Sequence, residues 1–415
     1  MERSPPLKLT ELPEDLLLHI MSLFNPYDLS KLGATCKLLH TLSQSNSVWI
    51  KFCQKVTNLK DVQLGEFCNY KKLYTNLLHK YGCLIGLYET KFGPFGGLTE
   101  VIYSNGAIEG HTWDLASSED IEAPLKSNIL FSLKKSEYHT HNVCLPYMNS
   151  HHGAVSVGKR KGTFTLLCFN PKEHAQAVWK DFGYDQEIFD YFQSHRKGLK
   201  KYRHALFCQW ELKCHQQKLI SLSSCFDLSM LYERLNFQHP CDIPELMPDG
   251  ICPKQLVAPG LFKSSDKIRG VELLHFTYLE GIELCAIEVT GNGYTPAQTV
   301  SFVAQLNFPT TSVQEPHKFE DLIDSDLERV QRVCPISDIP SQAFTLPQDC
   351  LDDAPSDMCY ARYLGHGLDR YSQTPAITFA HVMVFDEDTV GVLWIEQECF
   401  TLCKRVHQTF NQNRL

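Results

Sequence analysis

The stretch Leu12-Pro13-Glu14-Asp15-Leu16-Leu17-Leu18-His19-Ile20 carries more apolar surface than so short a segment can bury by itself. It opens a region, Leu9 to Phe52, whose pattern predicts two or three short amphipathic helices. Pro13 suits the first turn of a helix, where its missing N–H would be an unused donor anyway. Leu16, Leu17, Ile20, Leu23 and Phe24 follow at helical spacing and define one apolar face. Asn25 is placed to cap a second helix with Pro26 at its first position. Leu29, Leu32, Cys36 and Leu39 continue the pattern there, and Trp49 falls near the end of a third helix. Spacing alone leaves two meanings open. The face either packs on the protein's own core or docks onto another protein.

Outward from this head, the chain of 415 residues has room for a small module plus one large domain, or for two or three domains. Hydrophobic residues make up 43%, enough for a substantial core. The net charge of -9 argues against a nucleic-acid surface, and the basic cluster Lys197, Lys200, Lys201 and Arg203 reads as a solvated helix face. No stretch approaches the roughly 18 continuous apolar residues of a membrane span. Met1 is followed by Glu2-Arg3-Ser4-Pro5-Pro6 with no apolar signal core, and the cysteines number an odd 17. The thiols are therefore expected to be reduced and intracellular, mostly as buried core residues.

After the head, Leu64 to Tyr81 repeats apolar residues at helical spacing and reads as a linking helix. From Tyr81 onward the pattern changes to short strands punctuated by glycine. Ser104-Asn105-Gly106 is a hairpin turn between Val101-Ile102-Tyr103 and Ala107 to Trp113. Leu279-Glu280-Gly281 and Asp386-Glu387-Asp388 mark two more hairpins. The strand Ala376 to Phe385 is apolar on both alternating faces, which fits a sheet that is covered twice or curled on itself. Ala175 to His204 is the helical exception. His317 to Met358 is acidic and dotted with proline, and reads as a loop or partly disordered insertion.

The Leu12 to Leu17 opening with Ile20, the Asp28-Leu29 start of helix two, Cys36 and the Val48-Trp49 end resemble an F-box. That module docks onto the Skp-family adaptor of SCF ubiquitin ligases. Further stretches extend the likeness: Gly93-Pro94-Phe95-Gly96-Gly97-Leu98, Pro259-Gly260-Leu261-Phe262-Lys263, Thr290-Gly291, Phe344-Thr345-Leu346-Pro347, Gly365-His366-Gly367, and Phe385-Asp386-Glu387-Asp388 with Trp394. Together they make the chain similar to the F-box only protein 31 family, as a divergent relative with a shortened insertion between Glu328 and Phe344. The resemblance implies an α+β chain with an F-box over 7–55, a linking helix over 56–80, and a large antiparallel β-barrel domain with a few helices over 81–415. It implies a receptor with no catalytic residues, partnered by the Skp-family adaptor and a cullin–RING scaffold. The barrel would capture C-terminal tails, including those of D-type cyclins and of chains ending in an amide. The implied location is cytoplasmic, with nuclear or centrosomal pools.

The adaptor contacts implied are Leu12, Pro13, Leu16, Leu17, Ile20, Leu29, Leu32, Cys36 and Trp49. On the substrate side, Thr290, Gly291 and Asn292 end a strand where the family carries an Asp after Thr-Gly, linked there to the choice of tail. A carboxylate accepts both N–H bonds of a primary amide and repels a terminal carboxylate; Asn292 lacks that repulsion. His366 is a candidate for the barrel mouth and Lys263 for a terminal carboxylate. Each also has a plain reading, as a surface residue or a turn former.

Cys144, His152, Cys168 and His174 form a Cys-x7-His-x15-Cys-x5-His array. Two thiolates and two imidazoles suit tetrahedral zinc, but the spacing is not that of short zinc knuckles, and 18 histidines make chance arrays easy. The family resemblance implies a structural Zn2+ on these four, stapling the loop 144–174, with His151 as the competitor for His152. The sequence contains no Gly-x-Ser-x-Gly, His-Glu-x-x-His or P-loop that would support a hydrolase or metalloenzyme. A small-molecule-binding barrel fits the strands but leaves the helical head unexplained.

Overall fold

The computed structural model describes residues 9–90, 96–117, 119–134, 140–144, 149–168, 229–235, 237, 257–266, 270–279, 283–291, 297–309, 341–344, 346–368, 377–408 and 410. The head holds four helices rather than two or three: α1 (Glu14–Met21), α2 (Pro26–Gly33), α3 (Lys37–Ser43) and α4 (Asn46–Thr57). Pro13 is the N-cap of α1, one position earlier than its sequence suggests, and Pro26 opens α2. Asn25 caps α2 by accepting from the Asp28 N–H at 2.9 Å. The break after Gly33, which splits the apolar run ending at Leu39, is what raises the count. Leu17, Met21, Leu29, Leu39, Leu42, Val48, Trp49 and Phe52 close one small core.

The linking helix runs as α5 (Tyr70–Leu73), a π turn (Tyr74–Leu78) and α6 (His79–Tyr81). Its apolar residues Leu73, Leu77 and Leu78 enter the core of a first barrel, while Tyr70 and Tyr74 pack against both that core and the head's. This barrel is closed and antiparallel: β1 (Gly86–Thr90), β2 (Leu98–Ser104), β3 (Ala107–Leu115), β4 (Leu125–Leu133), β5 (Thr140–Cys144), β6 (Asn149–Val157), β7 (Thr163–Cys168) and β8 (Ser229–Arg234). β8 returns to pair with β1, Tyr88 opposite Arg234. The Asn105-Gly106 hairpin has both residues at positive φ, 41° and 78°, as a tight two-residue turn requires. Inside, Phe164 stacks on Tyr232 with centroids 4.5 Å apart and meets Tyr88 and Phe131 edge-on.

A second closed barrel follows, so the antiparallel β-barrel domain expected from the sequence is built as two closed barrels. Its strands are β9 (Gly260–Asp266), β10 (Gly270–Leu279), β11 (Glu283–Glu288), β12 (Val300–Pro309), β15 (Ala361–Leu368), β16 (Ile377–Val384), β17 (Thr389–Trp394) and β18 (Cys399–Arg405), with β18 closing on β9. A barrel of about eight strands is just wide enough for side chains to fill, so sixteen strands make two cores. β10 pairs antiparallel with β11 and β16 with β17, as the two turn signals in the sequence predict.

The C-terminal part of the acidic stretch is ordered wall covering, not open loop. β13 (Gln342–Ala343) pairs with β14 (Met358–Cys359), and the turn Gln348–Asp353 lies between them. Leu346, Cys350 and Cys359 pack on Met383, Phe385 and Phe400 outside the barrel. That cover explains why β16 is apolar on both faces. The earlier part of the stretch, the helical expectation over 175–204 and its basic cluster lie outside the described residues. Where the outer walls of the two barrels meet, Leu87, Leu98 and Leu125 pack with Leu261, Leu273 and Val289.

Candidate functional site

The head divides its leucines sharply. Leu17 is 2% exposed and Leu29 0%, whereas Leu16 is 51% exposed and Leu23 75%. Leu16 and Leu17 are neighbours, yet about 100° of helix rotation puts one in the core and one in solvent. Trp49 is also internal: it is buried, its indole N–H donates to the Ser43 carbonyl at 2.6 Å, and its ring meets Phe52 and Tyr74. Of the nine candidate contacts, Leu17, Leu29 and Trp49 therefore shape the head, and Leu12, Ile20 and Leu32 are half-buried. Pro13, Leu16 and Cys36 are exposed. Leu9, Leu23, Phe24, Tyr27 and Leu38 are exposed large apolar residues too. Several exposed apolar side chains on one small module are what a docking surface needs.

In the second barrel, Lys263 is not available to a ligand carboxylate. It is 7% exposed, and its ammonium donates to the carbonyls of Ile121 (3.2 Å) and Ala123 in the β3–β4 connection. Burial pulls its pKa down, while the nearby Glu122 and Asp120 partly restore it. Lys263 thus belongs to the seam between the barrels. His366 is exposed and lies on the outer wall rather than in the barrel. The flanking Gly365 and Gly367 face inward, where a Cβ on Gly367 would stand 2.7 Å from the Trp394 ring. Thr290 and Gly291 extend β11, and Thr290 bridges to Gly96 of the first barrel. Asn292 lies outside the described residues.

The inner end of this barrel next to Thr290 is polar. Glu272 and Glu288 occupy inward positions in step with Leu274, Phe276 and Ala286, and are 5% and 1% exposed. At the same end the Trp394 indole N–H donates to Thr401 Oγ1 at 3.0 Å, and the Thr378 hydroxyl donates to Gln397 Oε1 at 2.9 Å. Two carboxylates among inward apolar positions were a signal in the sequence: each interrupts the inward half of an alternating strand. Elsewhere, burial raises the Cys53 thiol to about 12 and the Cys285 and Cys359 thiols to about 11, so all three stay protonated as core residues.

Cys144, His152 and Cys168 fall on the neighbouring strands β5, β6 and β7. Cys144 pairs with Asn149 and Cys168 with Gly153, four residues apart along β6, while His152 pairs with His141. Each cysteine is the last residue of its strand, and the two strands flank β6 on opposite edges. His174 lies outside the described residues, among which no group of three or more potential ligands converges. No helix among the described residues is long and apolar enough to cross a membrane.

Comparison with known proteins adds two family models and a set of full-length relatives. A model described as F-box-like matches residues 9–55, and one described as Cyclin D1 binding domain matches residues 242–409. F-box only protein 31 of Mus musculus and that of Homo sapiens are each 24% identical to the chain, over 97% and 98% of it and 85% and 84% of their own lengths. F-box only protein 31-B of Xenopus laevis is 22% identical over 98% of the chain and 85% of its own length.

Proposed function

We propose that the chain, similar to F-box only protein 31 over nearly its whole length, is the substrate-receiving subunit of an SCF ubiquitin ligase. The observation that carries this reading is the exposed Leu16–Leu23 face on a head that the F-box-like model matches over residues 9–55. The face docks the Skp-family adaptor, and through it the cullin–RING scaffold. The chain itself supplies proximity and no bond-making chemistry. Co-expression with the adaptor tests this. Wild type should co-purify, and Leu16→Ala with Leu23→Ala should lose the complex while keeping its thermal unfolding temperature. A complex indifferent to both changes would sink the reading.

The finer proposal is that the second barrel captures the C-terminal tail of a target. The match to a Cyclin D1 binding domain over 242–409 supports this and makes D-type cyclin tails the first to try. The tail would enter at the polar end near Thr290 and Gly291. Asn292, where the family resemblance places an acid, removes one repulsion from a terminal carboxylate. Glu272 and Glu288 act in the opposite sense. Binding of one peptide synthesised as the free acid and as the amide, to wild type and Asn292→Asp, decides between them. Equal affinities throughout would exclude a role for Asn292.

A structural zinc ion on Cys144, His152, Cys168 and His174 is proposed as cofactor. The donor set is that of a closed tetrahedral site, and three of the four residues sit on adjacent strands. Held by four protein ligands, the metal would leave no open position for substrate. Elemental analysis of wild type and Cys144→Ser, expected near one zinc and near none, checks it. Tagged protein should be found in the cytoplasm, with nuclear or centrosomal pools, which imaging tests.

A further inference from the structure

We propose that the glycine pair ending the β1–β2 connection of the first barrel positions the Thr290–Gly291 segment of the second, so that Gly96 and Gln298 are positioning residues for tail choice. This rests on the reading that a C-terminal tail enters the second barrel beside that segment.

A ring of four hydrogen bonds links the two elements. The Thr90 N–H donates to the Gly97 carbonyl at 3.0 Å, and the Gly97 N–H donates across the seam to the Val289 carbonyl at 3.1 Å. On the far side, the Gln298 N–H donates to the Glu288 carbonyl at 2.7 Å. The Gln298 side-chain amide then returns to the Thr90 carbonyl at 3.1 Å. Inside the ring Gly96 bridges Thr290. The first barrel thus holds both arms of the β11–β12 connection: Val289 and Thr290 on one, Gln298 on the other.

Two features mark this contact as more than ordinary packing. Gln298 has φ of 67°, a left-handed conformation that a non-glycine residue adopts only when its surroundings impose it. Gly96, at φ +57°, lies so close that a Cβ there would stand 2.3 Å from the Val289 carbonyl and 2.4 Å from the Ala297 side chain. The backbone of one barrel is pressed against that segment of the other. The segment continues directly from Glu288, one of the two carboxylates at the polar end. A displacement of Val289 or Thr290 therefore moves that carboxylate and the segment together.

The test uses the full chain co-purified with the adaptor. The probe is a random C-terminal peptide pool, half ending as carboxylates and half as amides, and the readout is the bound ratio of the two. Gly96→Ala should change that ratio by about fivefold or more, since loosely held recognition groups lose discrimination at displacements near 1 Å. Gln298→Ala, which removes only the link to Thr90, should change it in the same direction by less. Gly106→Ala is the control. It carries a comparable backbone penalty at φ +78°, with its Cβ 2.7 Å from the Leu64 carbonyl, at the opposite end of β2. Its ratio should match wild type. If Gly96→Ala does not fold, Gln298→Ala carries the test. An unchanged ratio in both seam variants, or an equal change in Gly106→Ala, overturns the inference. Wild type that binds neither half of the pool removes the tail-capture reading itself, which is a different failure.

Discussion

The two barrels solve closure alike and use their interiors differently. In each, the closing strand ends in an arginine that fastens the seam: Arg234 ends β8 and Arg405 ends β18. Arg234 donates to the carbonyls of Cys83 and Ile85, both at 2.8 Å, and to the Tyr88 hydroxyl at 3.0 Å. Arg405 donates to the Pro259 and Ala258 carbonyls at 3.2 and 2.8 Å, pairs with Asp388 at 2.6 Å, and lies over the Phe262 ring. The interiors then diverge. The first is aromatic and is entered by the linking helix, so it serves as the joint to the head. The second keeps a polar end and needs a strap over its outer wall. Both barrels are filled by their own side chains, but the second buries two carboxylates, Glu272 and Glu288, at one end.

If the first barrel is the structural joint, its centre should tolerate change least. Phe164→Ala removes a ring that touches three others and should cost about 3–5 kcal/mol, read from denaturant unfolding of the whole chain. A cost under about 1 kcal/mol would mean the aromatic core is not what holds the joint.

The strap makes a second difference measurable by pH. On the same face of β16 as Met383, which the strap covers, His381 is 3% exposed with the Arg362 charge nearby, and its Nε2 has no hydrogen-bond partner among the described residues. Burial first, then the Arg362 charge, lowers its pKa from 6.5 to about 4. The unfolded chain therefore binds a proton that the folded chain refuses. Stability supplied by neutral His381 is complete above pH 6.5 and falls as pH drops towards 4, by on the order of 3 kcal/mol. Carboxylates titrate in the same window, so the measurement is the difference between wild type and His381→Leu. That difference should be constant above pH 7 and should move in the variant's favour as the pH falls towards 4.5.

Next come the paired arginines. Arg405→Ala breaks charge-assisted bonds in a part-buried setting and should cost about 2 kcal/mol, whereas exposed Arg234→Ala should cost about 1 kcal/mol. Equal costs would show that the Asp388 pair adds nothing. Smallest is Lys404→Ala, which breaks a pair with Glu122 across the seam. With side chains 36% and 67% exposed, thermal unfolding should change by less than about 0.5 kcal/mol.

The local features were legible in the sequence and the closures were not. Asn105-Gly106 names its own turn, and Asn25-Pro26 its own cap, because both depend on residues a few positions apart. The pairing of β1 with β8 spans about 145 residues, and period-two alternation is silent about which strand closes on which. For the same reason Lys263 and His366 were visible as candidates but not as seam and outer-wall residues. Their direction depends on register with Lys404 and Phe379, far along the chain. Leu16 and Leu17 show the limit within a single helix, where a pattern broad enough to include both cannot say which faces out.

Tyr70 and Tyr74 pack at once against the head and the first barrel, and no flexible connection separates those two cores. A receptor joined in this way acts as a ruler. On the function proposed above, docking of the head would fix the height of the barrels above the ligase, and the slack needed to bring a lysine to ubiquitin would come from the captured protein. Targets would then be sorted by the length of loose chain between their end and their nearest lysine as well as by the end itself.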